Sequence, residues 1–166
     1  SYRKLTRLPK PEKKSFLVKN LIENINILSG SFPHAENVEI GFDVQPEELE
    51  ILADEKQISQ VLINLVKNAF QATENMEGAR VSIHSGLSNN GQPQITISDN
   101  GPGIPPSAIK KVFDPFFTTK DVGKGTGLGL AVCYSVIKHH GGKIQVNSSP
   151  GEGTEFLITL SDSLSS

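Results

Sequence analysis

Two stretches of alternating apolar and polar residues, RVSIHSG (80–86) and QITISDN (94–100), flank the turn-rich LSNNGQP (87–93). So short a link cannot carry the crossover that parallel strands require, so the two must form an antiparallel pair. KIQVNSS (143–149) and TEFLITL (154–160) form a second pair around PGEG. Helical apolar spacing fills the remaining intervals. Leu17, Leu21, Ile25 and Leu28 mark a helix over 16–29, and a long helix over 55–75 is stopped by Asn75 and Gly78. A short helix follows Pro106, and residues 128–140 form another, with Lys138, His139 and His140 in its last turn before Gly141. VEIGFDV (38–44) and LEILAD (49–54) read as two further strands around Pro46. Antiparallel pairs with helices between them predict an α+β two-layer sandwich, not a doubly wound parallel sheet.

A chain of 166 residues is long enough for one domain with a proper core. Its net charge of −2 gives no general reason to expect nucleic acid or an anionic membrane surface. The lone Cys133 cannot close an internal disulfide, which suits a reducing compartment. No apolar run approaches the roughly 20 residues of a membrane span and no signal-peptide core is present, so the cytoplasm is the expected location. Arg3, Lys4, Arg7, Lys10, Lys13 and Lys14 face only Glu12 near the start. Leu5 and Leu8 lie one helical turn apart before Pro9 and Pro11, which reads as a helix end and a linker. No aromatics are interleaved for base stacking.

The long helix has an unusual polar stripe. Ile58, Val61, Leu62, Leu65, Val66 and Ala69 fill one broad side, whereas Asn64, Lys67, Asn68 and Gln71 recur at i, i+3, i+4 and i+7 opposite. Asparagine is a mediocre helix former because its amide competes for backbone groups. Two of them one turn apart either make an ordinary polar face or present carbonyl oxygens to a hard cation that shares its coordination with phosphates.

Glycine is concentrated in two places. DNGPGIP (99–105) turns the chain after a strand with Gly101 and Pro102, so Gly103 is surplus to the turn. A glycine pair beside Asp99 suits a flat ring approaching the backbone, with the carboxylate accepting from an exocyclic amine such as that of adenine. GKGTGLGL (123–130) sets Gly123, Gly125, Gly127 and Gly129 at every second position ahead of a helix, an arrangement that points backbone N–H groups at an anion. It is not a P-loop, because Lys124 is followed by Gly125. Nor is it the dinucleotide fingerprint, because counting from Gly125 or Gly127 the last position holds Leu130 or Val132. Upstream, Phe113, Phe116 and Phe117 around Pro115, then Thr118, Thr119 and Lys120, read as a flap whose aromatics dock on closure.

With these pieces in place, the chain resembles the catalytic, ATP-binding domain of bacterial sensor histidine kinases, a branch of the Bergerat-fold ATPases. QVLINLVKNAFQAT (60–73), DNGPGIP (99–105), FDPFFTTK (113–120), GKGTGLGLAV (123–132) and GEGTEF (151–156) look like that family's N, G1, F, G2 and G3 boxes, in family order. The N and F boxes are similar in tone to the nitrogen-regulatory subgroup. The resemblance implies a mixed, mostly antiparallel sheet of about five strands covered by three helices, with a flexible ATP lid over about 106–124. It implies residues 1–12 as the end of an upstream dimerisation helix and linker, 13–161 as the catalytic domain and 162–166 as a disordered tail.

It also implies roles. Asn68 would ligate Mg²⁺ bridging the ATP phosphates, with Asn64 beside it and Lys67 as a phosphate contact. Asp99 would hold the adenine amine, with Gly101, Gly103 and Ile104 admitting the base and Thr154 supporting that pocket. Phe116, Thr118, Lys120, Lys124, Gly125, Thr126, Gly127, Leu128 and Gly129 would line the lid and phosphate side. The implied reaction is γ-phosphoryl transfer to a histidine on a separate phosphoacceptor domain. Its implied partners are that dimerisation domain, a downstream response regulator and a second copy in a homodimer, with no nucleic acid. The alternative is a non-catalytic nucleotide-binding signalling module of the same fold.

Two departures stand out. Many family members carry a basic residue where this chain has Gln71. None of His34, His84, His139 and His140 is followed by the acidic residue that marks a phosphoacceptor box, so the chain is expected to be a fragment, conceivably the cytoplasmic part of a membrane-bound sensor. Related ATPases that hydrolyse ATP, such as type II topoisomerases, place a Glu where Asn64 stands, and an amide cannot take a proton from water.

Overall fold

The computed structural model describes residues 8–115 and 129–161. Its main sheet has five strands in the order β2-β4-β5-β7-β6: β2 (Glu39–Val44), β4 (Arg80–Leu87), β5 (Pro93–Asp99), β6 (Lys143–Ser148) and β7 (Thr154–Thr159). All neighbours run antiparallel except β2 and β4, which are parallel with Ile40 opposite Val81. Helices α1 (Val18–Ser29), α2 (Glu55–Ala72) and α4 (Gly129–His139) cover one face, and α3 (Pro106–Ile109) is a single turn. The α+β two-layer sandwich and its mixed five-stranded sheet are therefore present.

The period-2 pattern explains the sheet. Val81, Ile83, Ile95, Ile97, Phe156 and Ile158 point at the helices and are buried, while Ser82, His84, Thr96 and Gln145 fall on the outer polar face. The central helix α2 packs against α1 on one flank, α4 on the other and β4 and β5 below. Asp54 caps it, Oδ1 accepting the Gln57 N–H at 3.1 Å. Ile58, Val61, Leu62, Leu65, Val66, Ala69 and Phe70 form its buried side. Leu62 is fully buried at the middle of this layer. Leu62→Ala should cost about 2–5 kcal/mol of stability, read as a lower urea midpoint with an unchanged slope.

Three sequence expectations need correction. The first helix begins at Val18, not Phe16, because residues Lys14–Leu17 form a strand, β1. Its buried residues are Val18, Leu21, Ile22, Ile25 and Ser29, whereas Leu28 is 40% exposed, lying off the stripe that Ile22, Ile25 and Ser29 continue. The strands expected at 38–44 and 49–54 are both present and lie in different sheets. β2 joins the main sheet, and β3 (Glu50–Ala53) pairs antiparallel with β1 in a separate ribbon, Phe16 opposite Ile51. The long helix stops at Ala72, with Thr73 turning its hydroxyl back to the Ala69 carbonyl at 3.0 Å; Asn75 and Gly78, both at positive φ, shape the following turn.

Residues 8–12, expected as linker, lie against the domain. Leu8 packs on the core, the Glu12 N–H donates to Asp54 Oδ2 at 2.9 Å, and Gln57 Nε2 donates to the Pro9 carbonyl at 3.0 Å. Among the described residues no helix is long and apolar enough to cross a membrane.

Candidate functional site

The two chain turns that end β5 and begin β7 are interlocked. Register pairs Asp99 with Thr154, both on the helix-facing side. Gly103 (φ 82°) and Gly153 (φ 87°) take left-handed backbone, and a Cβ on either would collide with a carbonyl, of Ser149 and of Asp99 respectively. The Gly151 N–H donates to the Pro102 carbonyl at 2.7 Å, and the Ile104 N–H donates to Ser148 Oγ at 2.7 Å. Ser148 Oγ donates in turn to the Gly153 carbonyl at 2.8 Å and lies 3.0 Å from Thr154 Oγ1. Asn100 fastens the same turn to β4, accepting the Arg80 N–H at 2.7 Å and donating to the Gly78 carbonyl at 2.9 Å.

Asp99 sits in this frame half-buried. Oδ1 accepts the Gly101 N–H at 2.8 Å. Burial pushes its carboxyl above the usual carboxylate range, and the amides of Gly101 and Thr154 pull it partly back. A charged oxygen retained at such a cost, with an acceptor lone pair to spare, suits a ligand donor.

Gly101 joins Asp99 to the asparagine helix. A Cβ there would stand 2.8 Å from the Ala72 carbonyl and 3.0 Å from Asp99 Oδ1. Asn64, Asn68 and Ala72 recur at i, i+4 and i+8, so one face of α2 runs down onto the Asp99 turn. The Asp99 turn thus abuts the C-terminal end of the helix that carries the two asparagines.

Along α2 the neighbour is α4. Cys133 Sγ is 3.8 Å from the Val61 carbonyl and 4.0 Å from Asn64 Nδ2, and the Asp54 N–H donates to His140 Nε2 at 3.0 Å. As residue numbers rise on one helix they fall on the other, so the helices run antiparallel. One more turn in this register brings Asn68 beside the N-terminal turn of α4, at Gly129. Among the described residues a Cβ on Gly129 would meet nothing within 4 Å.

The stripe divides by burial. Asn64 and Asn68 are half-buried, while Lys67 and Gln71 are exposed. Lys67 Nζ stands 5.6 Å over the Phe32 ring, which packs edge-on against Phe70. Thr154 is buried with its hydroxyl against Ser148, and Ile104 is half-buried. Phe113 lies tilted against Tyr134 at 5.4 Å and edge-on to Phe156 at 6.2 Å between ring centroids. Phe116, Thr118, Lys120, Lys124, Gly125, Thr126, Gly127 and Leu128 lie outside the described residues. Burial pushes the Cys133 thiol up to about 12, leaving it neutral between the helices.

Sequence reasoning missed Ser148, Asn100 and His140. A polar residue ending a strand just before PGEG was the available signal for Ser148; Asn100 and His140 act on residues distant in sequence and left none.

The sequence profile described as Histidine kinase-, DNA gyrase B-, and HSP90-like ATPase matches residues 53–164. Sporulation kinase A of Bacillus subtilis (strain 168) is 34% identical over 160 residues, covering 94% of this chain and 26% of that protein. The chain thus spans about a quarter of that curated relative. The nucleotide-free catalytic domain of histidine kinase ThkA superposes with TM-score 0.78 at 35% identity, covering 90% of this chain and 97% of that one. ThkA in complex with the response regulator protein TrrA gives 0.74 at 32%, covering 89% and 41%. Full-length ShkA in complex with AMPPNP gives 0.85 at 26%, covering 98% and 34%.

Proposed function

The chain belongs to the histidine kinase-, DNA gyrase B- and HSP90-like ATPase family, and from that premise we propose that it binds ATP with Mg²⁺ and directs the γ-phosphoryl group to a histidine of a separate phosphoacceptor domain. The observations that support this reading are that the Gly101 turn, whose N–H the Asp99 carboxylate accepts, abuts the Ala72 carbonyl at the end of the helix bearing Asn64 and Asn68, and that this helix packs antiparallel to α4.

The chemistry asked of these residues is modest. Phosphoryl transfer needs positioned phosphates and neutralised charge more than a covalent participant. Asp99 accepts the adenine amine, and Gly101 and Gly103 keep side chains out of the ring's way. Thr154 and Ile104 support that end, and the first turn of α4 offers N–H groups to the phosphates. Among the described residues no group of three or more His, Cys, Asp or Glu gathers. The Asn68 carbonyl, with Asn64 beside it, would hold Mg²⁺ as one ligand among phosphate oxygens and waters. When bound, Mg²⁺ supplies charge neutralisation across the phosphates. Lys67 could add charge only by leaving Phe32. Phe116, Thr118, Lys120, Lys124, Gly125, Thr126, Gly127 and Leu128 complete the proposed lid and phosphate contacts.

The proposed partners are a dimerisation domain bearing the target histidine, a second copy of the full protein and a response regulator that takes the phosphoryl group. The proposed setting is the cytoplasm. Phosphate transfer in trans from γ-labelled ATP to candidate phosphoacceptor domains tests the reaction; label appearing on no histidine of the cognate domain would refute it.

A neutral imidazole is already a nucleophile, so transfer to histidine needs no base here, whereas attack by water does. Asn64 provides none. Intrinsic hydrolysis should therefore be slow, and Asn64→Glu should raise it about tenfold or more, followed as phosphate release. An unchanged rate would mean that the missing base is not what limits hydrolysis.

A further inference from the structure

His140 is nearly inaccessible, 3% exposed, and both ring nitrogens are engaged. Nδ1 lies 2.9 Å from the Val136 carbonyl, and Nε2 lies 3.0 Å from the Asp54 backbone nitrogen. A carbonyl can only accept and an amide N–H can only donate. The ring therefore carries its proton on Nδ1 alone and is neutral. The partner matters as much as the bond. Asp54 caps α2, holds the Gln57 N–H on Oδ1 and holds the Glu12 N–H on Oδ2, while Gln57 also reaches the Pro9 carbonyl. One residue thus ties together the start of α2, the end of α4 and the segment leading into the domain.

We propose that His140 is a positioning residue for nucleotide binding: by accepting the Asp54 amide it clamps the C-terminal end of α4 to the N-terminal end of α2 and sets the register that brings Asn68 beside the first turn of α4. This rests on the nucleotide reading of that cleft. The clamp lies at the far end of both helices from Gly129, and touches none of the proposed ligand residues. Its effect is a sliding or rotation of two rigid helices, not a lost contact.

The clamp is also acid-sensitive. Protonating Nε2 would set an N–H against an N–H. Burial holds the His140 pKa below its ordinary value of 6.5; the Val136 carbonyl and Asp54 oppose that, and Lys13 and His139 reinforce it. Below 6.5 the unfolded chain binds a proton that the folded ring refuses, so this contribution to stability is present above 6.5 and is lost as pH falls toward the lower folded value. Asp54 titrates in the same direction: burial pushes its carboxyl up, but the amides of Glu12, Gln57 and Lys56 and the nearby His140 bring it below the usual range.

The test compares H140Q and H140F with the unaltered chain, titrated with a non-hydrolysable ATP analogue and Mg²⁺, with melting temperature recorded alongside. Glutamine keeps an acceptor near the Nε2 position and cannot be protonated; phenylalanine leaves the Asp54 N–H unpaired. At neutral pH, H140F should bind about tenfold more weakly per folded molecule and H140Q within about twofold of the unaltered chain. As pH falls below 6.5, the unaltered chain should lose affinity that H140Q keeps, a comparison that cancels the titration of the nucleotide. Should H140F melt early yet bind normally, His140 is structural only and the proposal is wrong. Should H140F fail to fold, identical pH profiles for H140Q and the unaltered chain would overturn it. No binding by the unaltered chain at any pH would instead overturn the nucleotide reading itself.

Discussion

Asp99→Asn should lose adenine nucleotide binding, weakening ADP and the ATP analogue alike by on the order of a hundredfold, while the domain stays folded. The two halves of that result have separate causes. Asparagine has the shape of aspartate, and its oxygen can still take the Gly101 N–H that Asp99 Oδ1 takes at 2.8 Å. The other end of the amide is then an NH₂ group facing the exocyclic amine of adenine, donor against donor, and the amine is left unpaired. Stability behaves differently. Because burial raises the Asp99 pKa, the ionised carboxylate costs the native state free energy, and an uncharged amide relieves that cost. The melting temperature should therefore stay close to that of the unaltered chain, the relieved charge offsetting the loss of the Thr154 amide contact, which an NH₂ group cannot accept. Calorimetric titration with ADP, with and without Mg²⁺, together with a melting scan, checks both. Unchanged ADP affinity would mean that the base is held elsewhere.

The Asn68→Ala variant should separate the cation from the base. Alanine is a better helix former than asparagine, and Asn68 is only half-buried on α2, so the fold should not suffer. ADP measured without Mg²⁺ should bind nearly as before, because the adenine end is intact. The extra affinity that Mg²⁺ confers on the triphosphate should vanish, and phosphate transfer should fall on the order of a hundredfold, the scale of losing one preorganised electrostatic contact in a phosphoryl-transfer site. The opposite pattern, intact Mg²⁺ dependence with weakened ADP, would make Asn68 a base contact and displace the cation to other ligands. Full transfer activity would remove Asn68 from the chemistry.

The two variants also show why parts of this site can be read from the chain. Asn64 and Asn68 stand out because a helix surface gains nothing from them locally, so a helical wheel isolates them. Asp99 stands out because Gly103 is surplus to the turn. The structure adds a second reason for that glycine: its backbone is left-handed and closes on the Ser149 carbonyl, so some of the glycine content serves the junction between the β5 and β7 turns and not a ligand.

The hairpins were legible because their partners are near in sequence. The β1–β3 ribbon was not, since Lys14–Leu17 is four residues long and its apolar pair continues straight into the periodicity of α1. Nor was the parallel seating of β2 on β4, which depends on the whole intervening helix returning the chain to the same edge. His140 reads as a helix-terminal cation by position, and only its approach to Asp54, 86 residues away, reveals a neutral acceptor. Lys67 shares a sequence stripe with the asparagines, yet leans over Phe32 on the other flank. In each case a distant contact outweighs local pattern.

One titration reaches the central claim, that carboxylate and amides serve a single ligand. In a ¹⁵N-labelled sample receiving the ATP analogue and Mg²⁺, the backbone amides of Asp99, Gly101 and Thr154 and the side-chain amides of Asn64 and Asn68 should all shift along one saturation curve with one Kd. Shifts confined to either group, or two groups saturating at different concentrations, would mean two separate surfaces and no common pocket.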